Sequence, residues 1–379
     1  MEAVKYINTN RVINTFIDLL RINSPSFDER AIGAHLASIL LRLGLEVTVQ
    51  EYGESFNLIG YLRGSLRDVP TLILSAHMDT VEPTVGLNFS IEDGIIRTVG
   101  ETVLGSDDKS GIAEIIEALE ALSESKVPHG NLEVVFTSAE ERGLQGSKNL
   151  DYHLLKGRHA IVMDTNGPIG KIVVAAPTHD TYVMAITGRA AHAGIEPEKG
   201  TSSIKAASRI IAAIPDGRID AETTANVGKI HGGTANNIVP KETIVEGEVR
   251  GHNETVLEKT KETIFNTARK IARKNQVRIT IEEKRQYKGF RFSIDDPLLA
   301  LLGEAFSKSG IKPEHVITGG GSDANIFNAS GIQAATLSSG MQKPHTTEEY
   351  IHTEDLYRGS VLVAGIIETF AKSASGEIR

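Results

Sequence analysis

Cysteine is absent from the 379-residue chain, which excludes a disulfide framework, a thiol nucleophile and a thiolate metal site. Any metal must therefore be held by His, Asp and Glu. No run approaches the ~20 apolar residues that a membrane helix needs, and the opening MEAVKYINTNRVINTF is too polar for a signal peptide. A basic surplus is missing too. The formal net charge of −9 leaves no basic face to neutralise phosphates, which argues against nucleic acid as a partner. No P-loop motif, internal repeat or low-complexity segment occurs. Together these absences read as a soluble, cytoplasmic protein.

What remains is an ordinary globular composition, 40% hydrophobic and 23% charged, in a chain long enough for two domains. Val12, Ile13, Phe16, Leu19 and Leu20 fall at helical spacing, and AIGAHLASILLRLG predicts a second helix capped at Gly44. TLILSAH, NLEVVFTSA and HAIVMDT read as strands, and SGIAEIIEALEALSES (110–125) as a helix between them. Strands alternating with helices predict an α/β sheet covered by helices. From about residue 178 the order becomes β-α-β-β-α-β, that of a ferredoxin-like unit. After about residue 289 the first style returns. The expected architecture is an α/β/α catalytic domain (1–177 and 289–379) interrupted by an inserted α+β domain (178–288).

Acids and histidines collect where the predicted strands end. His77 and Asp79 close TLILSA, Asp107 and Asp108 precede the 110–125 helix, and Glu140 and Glu141 follow VVFTSA. Asp164 ends AIVMD, and His345 lies in the loop after IQAATLSS. Singly, each has a plain structural explanation: a hydrogen-bonded histidine, a helix cap, a solvated turn. Jointly they match a metal site, because ligands of open α/β sheets bind beyond the carboxyl ends of the strands. Zinc takes N and O ligands at about 2.0–2.2 Å, and two ions sharing one carboxylate need only five protein ligands and leave room for a water. A metallohydrolase is the leading reading; a dinuclear phosphoesterase and a catalytically silent binding module are its rivals.

SAHMDTV, LGSDDKSGIAEI, FTSAEERGLQGSKNL, IVMDT, GRAAHAG, GGGSDANIF and KPHTTEEYI occur in the order seen in the M20 family of dinuclear zinc peptidases. The resemblance covers nearly the whole chain and is greatest to the tripeptide aminopeptidase branch, peptidase T. It implies that His77, Asp107 and Asp164 hold one Zn2+ and that Asp107, Glu141 and His345 hold the other, with Co2+ or Mn2+ as possible replacements in vitro. It also implies a cis peptide link after Asp107, Glu140 as general base, and Asp79 as the partner that orients His77. The inserted domain would act as a lid, moving on hinges near 176–178 and 288–290, and as the homodimer contact. Through that contact His192 would reach the partner subunit's site and stabilise an oxyanion. His231, Asn236, Asn237 and Arg250 are candidate substrate contacts, Arg250 through a two-pronged bond to a terminal carboxylate. The glycines 319–321 are expected to let backbone approach a substrate. The implied activity is exopeptidase cleavage of small peptides, with dipeptidase, carboxypeptidase and N-acyl amino-acid deacylase chemistry as alternatives. SAEE stands where peptidase T has Pro-Asp-Glu-Glu, so the recognised end of the substrate stays open.

Overall fold

The structure is a computed structural model, described here for residues 1–372. Its apolar runs form a nine-stranded mixed sheet whose centre is four adjacent parallel strands: Leu132–Thr137, Leu72–His77, His159–Thr165 and Gln333–Ser338. The registers Leu72↔Leu132, Leu72↔His159 and Gln333↔His159 start these strands level with one another. Their carboxyl ends therefore finish together, with His77 opposite Thr137 and Ser338 opposite Thr165. Side chains alternate across the strands. Leu72, Leu74, Ala76, Val134, Phe136, Ile161 and Met163 enter the main core, which leaves His77 and Asp164 on the opposite face. The helix Ser106–Ser125 packs on the strands Leu72–His77 and His159–Thr165, and against the helices Thr9–Leu20 and Thr353–Lys372. Gly44, with φ of 84°, follows the end of the helix Arg30–Arg42 as the sequence predicts.

The chain divides into two compact units, one of Met1–Val174, Arg291–Ile317 and the chain from Ser322 on, the other of Ala175–Phe290 with Thr318–Gly321. The second holds an antiparallel sheet in the order Gly217–Arg218, Thr223–Gly232, Glu242–Gly251, Thr178–Thr187, Arg278–Tyr287. With the helices Ser203–Ile211 and Glu254–Lys274 this is the ferredoxin-like order, plus one two-residue strand at the edge. Met184, Ile186, Val245, Val249, Ile264 and Ala268 form its separate core. Asp180 is 3% exposed and accepts from Lys261 Nζ at 2.6 Å and Arg285 Nε at 2.8 Å, tying helix to sheet. Of the three glycines 319–321, Gly321 is the one that close packing requires. A Cβ there would lie 2.3 Å from Tyr287 Cζ, so the ring of Tyr287 takes the space the sequence assigns to a substrate.

Candidate metal centre

Beyond the level ends of the parallel strands, His77, Asp107, Glu141, Asp164 and His345 come together. His77 Nε2 lies 3.0 Å from Asp107 Oδ1 and 3.8 Å from Asp164 Oδ1. His345 Nε2 lies 3.2 Å from Asp107 Oδ2 and 2.7 Å from Glu141 Oε1. Asp107 thus turns one oxygen to each imidazole. Ligand atoms of His77, Asp107 and Asp164 fall within 4.8 Å of one another, as do those of Asp107, Glu141 and His345. A third such group, His77, Glu140 and Glu141, shares two of these members, so Glu140 borders the same space. Imidazole nitrogens and carboxylate oxygens suit zinc or a similar divalent ion. The link Asp107–Asp108 is cis.

The electrostatics are those of crowded acid groups. Burial, reinforced by the charge of Asp107 and only partly offset by His77, pushes the Asp164 carboxyl well above its ordinary range. Burial and then Asp164 do the same to Glu140. Burial also opposes ionisation of Asp107, yet hydrogen bonds with His345 and His77 hold it low. His345, beside Asp107 and Glu141, is pushed up to about 10. Acids that raise one another's pKa, beside two imidazoles whose pKa they push up, form a set that a divalent cation would relieve.

Asp79 differs in detail from the sequence expectation. His77 Nδ1 contacts the backbone carbonyl of Asp79 at 2.9 Å, with the carboxylate Oδ1 farther off at 3.4 Å. The Asp79 carboxylate is turned to the next loop instead: Oδ1 accepts from the Glu140 amide at 2.9 Å, and Oδ2 from the Glu141 amide at 3.2 Å and Ser26 Oγ at 2.7 Å. It orients the loop that carries both glutamates as much as it orients the imidazole.

In the second unit, His192 is exposed and its Nδ1 accepts from the Gly194 amide at 3.2 Å. His231, Asn236 and Asn237 are exposed as well. Arg250 is otherwise engaged. Its Nε and Nη2 bond to the two carboxylate oxygens of Glu248 at 3.0 and 3.2 Å, so both prongs are occupied by this chain's own carboxylate.

Sequence reasoning passed over Glu349 and Asp323. Glu349 Oε2 accepts from the amides of Leu104 and Gly105 at 2.7 and 2.9 Å, and Oε1 from Ser106 Oγ at 2.6 Å and the Asp107 amide at 3.2 Å. One buried carboxylate thereby fixes the turn that presents Asp107. Asp323 accepts from the hydroxyls of Thr137 and Ser147 next to the 138–141 loop. Both acids lie inside motifs quoted above, KPHTTEEYI and GGGSDANIF, but no local pattern separates a buried acid from a solvated one.

The sequence profile of the peptidase family M20/M25/M40 matches residues 73–369. The chain belongs to that family of peptidases, and within it is peptidase T-like. It is 36% identical over 375 residues to the uncharacterized protein YqjE of Bacillus subtilis strain 168, covering 97% of this chain and 100% of that one. Among solved structures it superimposes on an aminopeptidase PepT of Bacillus cereus ATCC 10987 with TM-score 0.88 and 37% identity, covering 97% of this chain and 100% of that one. A tripeptidase of Staphylococcus aureus subsp. aureus Mu50 gives TM-score 0.92 and 34% identity with the same coverages. Among the described residues no helix is long and apolar enough to cross a membrane.

Proposed function

We propose that the chain is a dinuclear metal-dependent aminopeptidase that cleaves small peptides, tripeptides foremost, at the cluster around Asp107. The observation that carries this reading is the division of the Asp107 carboxylate, one oxygen toward His77 at 3.0 Å and the other toward His345 at 3.2 Å. His77, Asp107 and Asp164 would hold one Zn2+, and Asp107, Glu141 and His345 the second. When bound, the pair would lower the pKa of a water and polarise the scissile carbonyl.

Glu140 is the general base in this reading. It borders the cluster, is 9% exposed, and its carboxyl is pushed up from the ordinary carboxylate range by burial and by Asp164, the direction in which a general base is tuned. Its carboxylate removes a proton from the attacking water as the water oxygen bonds to the carbonyl carbon. The same proton then passes to the departing amine nitrogen as the C–N bond breaks, leaving a free amine and a carboxylic acid that keeps the water's second proton until it ionises. Asp79 holds the Glu140–Glu141 loop, and Glu349 holds Asp107. His192 is assigned to the developing oxyanion at a partner copy's site, which requires a homodimer formed through the inserted unit. The edge of the strand Thr223–Gly232, which among the described residues the two-residue strand Gly217–Arg218 meets at Thr224 and Ala225, supports such a contact. His231 and Asn237 are assigned to substrate contacts. The names of the PepT and tripeptidase neighbours support the substrate class.

Chelation followed by Zn2+ or Co2+ add-back, assayed on di-, tri- and N-acylated peptides, tests the proposal. Free-amino tripeptides should be cleaved fastest, activity should vanish with chelator and return with metal, and Glu140→Gln should keep its metal and lose nearly all turnover. Faster cleavage of N-acylated substrates, or turnover retained by Glu140→Gln, would overturn it.

A further inference from the structure

Phe27 presents an anomaly that the chemistry above does not use. It is a bulky, non-glycine residue with φ of 72°, and it is 52% exposed. Neither property favours the folded chain. The left-handed backbone is costly for an aromatic residue, and an exposed ring gains little from burial. Glycine would remove the first cost and a polar side chain the second.

The conformation is nevertheless held firmly, by a carboxylate that also holds the loop carrying the candidate chemistry. Glu29, 1% exposed, directs Oε1 at two amides, those of Phe27 at 2.9 Å and Ala139 at 2.8 Å. Ala139 is itself left-handed, with φ of 47°, and immediately precedes Glu140. One carboxylate oxygen therefore secures two strained residues, one beside the general base and the other bearing an exposed ring. Ser26 adds a second tie through Oγ to Asp79 Oδ2 at 2.7 Å. The Asp28 amide closes the turn onto the Pro25 carbonyl at 2.8 Å, and the Thr80 amide bonds to the Ser24 carbonyl at 2.9 Å. Backbone strain kept in place by dedicated polar contacts marks positions whose geometry is in use.

We infer that Phe27 is a specificity-determining residue. Its ring forms an apolar contact for the side chain flanking the scissile bond, so that peptides with a bulky aliphatic or aromatic residue there are preferred. This rests on the peptidase reading for its substrate, but the contact can be tested without turnover. In zinc-loaded enzyme, Phe27→Ala should reduce kcat/KM on leucyl and phenylalanyl tripeptides about 10-fold or more, the scale of a lost apolar pocket contact, mainly through KM. Glycyl tripeptides should be nearly unaffected, and Phe27→Tyr should restore the preference. Because the chain contains no tryptophan, Phe27→Trp in the Glu140→Gln background supplies a single emission reporter. That emission should shift with leucyl but not with glycyl peptides. Equal kinetic losses on all peptides, no loss at all, or an emission blind to the side chain would overturn the inference and leave the peptidase reading intact. An emission selective for leucyl peptides in a protein whose wild type hydrolyses none would do the reverse.

Discussion

Asp79 does more than the motif HxD suggests. An alternating strand puts residues 77 and 79 on one side, and from that alone the carboxylate should accept the ring N–H of His77. Instead its two oxygens take the amides of Glu140 and Glu141 and the hydroxyl of Ser26, while its own backbone carbonyl meets the imidazole. Removing the carboxylate frees a loop as well as a ring. Asp79→Ala should weaken metal affinity or activity by ~10–100-fold, and the loss should include misplacement of Glu140, seen as a fall in kcat that persists at saturating metal. Restoration of full kcat by excess metal would confine Asp79 to the imidazole. At this scale the residues of the candidate centre were legible because strand-end His and Asp residues stand out against apolar runs. Glu349 and Glu29 were not, since a buried acid is defined by amides distant in sequence: Leu104 and Asp107 for one, Ala139 for the other.

At the scale of elements, hydrophobic periodicity gave most helices and strands, and with them the α/β and ferredoxin-like orders. It did not give the short helix Asp323–Ala329, which follows the glycines and has no long apolar repeat, nor the three-stranded sheet formed by Phe89–Glu92, Ile95–Thr98 and Tyr350–His352. Arg250 illustrates why a polar residue on a strand is ambiguous. Glu248, two positions earlier on the same face, engages it, and His179 on the neighbouring strand contacts Glu248 at 3.0 Å. The close contact with His179, with help from Arg250, lowers the Glu248 carboxyl from 4.5 to about 2. A carboxyl whose pKa is depressed by folding contributes stability above its unfolded pKa and loses it as pH falls through the folded one. In metal-free protein, Glu248→Gln should melt below wild type above about pH 4.5, and the two should converge as pH drops toward 2. A melting gap constant across that range would contradict this.

For the molecule as a whole, the inserted unit was foreseeable because the sequence changes style near 178 and returns near 289. The grouping of Thr318–Gly321 with that unit was not, because no local pattern reveals that Gly321 packs against Tyr287. The candidate centre unites residues spread from 77 to 345, and it does so because four parallel strands finish level and their loops turn inward over the same face. The proposed peptidase chemistry depends on that convergence and on the Asp107 carboxylate lying between His77 and His345. The most direct test is metal content per chain, measured by elemental analysis on wild type, Asp164→Asn, His345→Ala and Asp107→Asn. Two tightly bound divalent ions in wild type, one in each of the first two variants, and depletion of both sites in Asp107→Asn are expected. A wild type that binds one ion or none, or an Asp107→Asn variant that keeps two, would contradict the account.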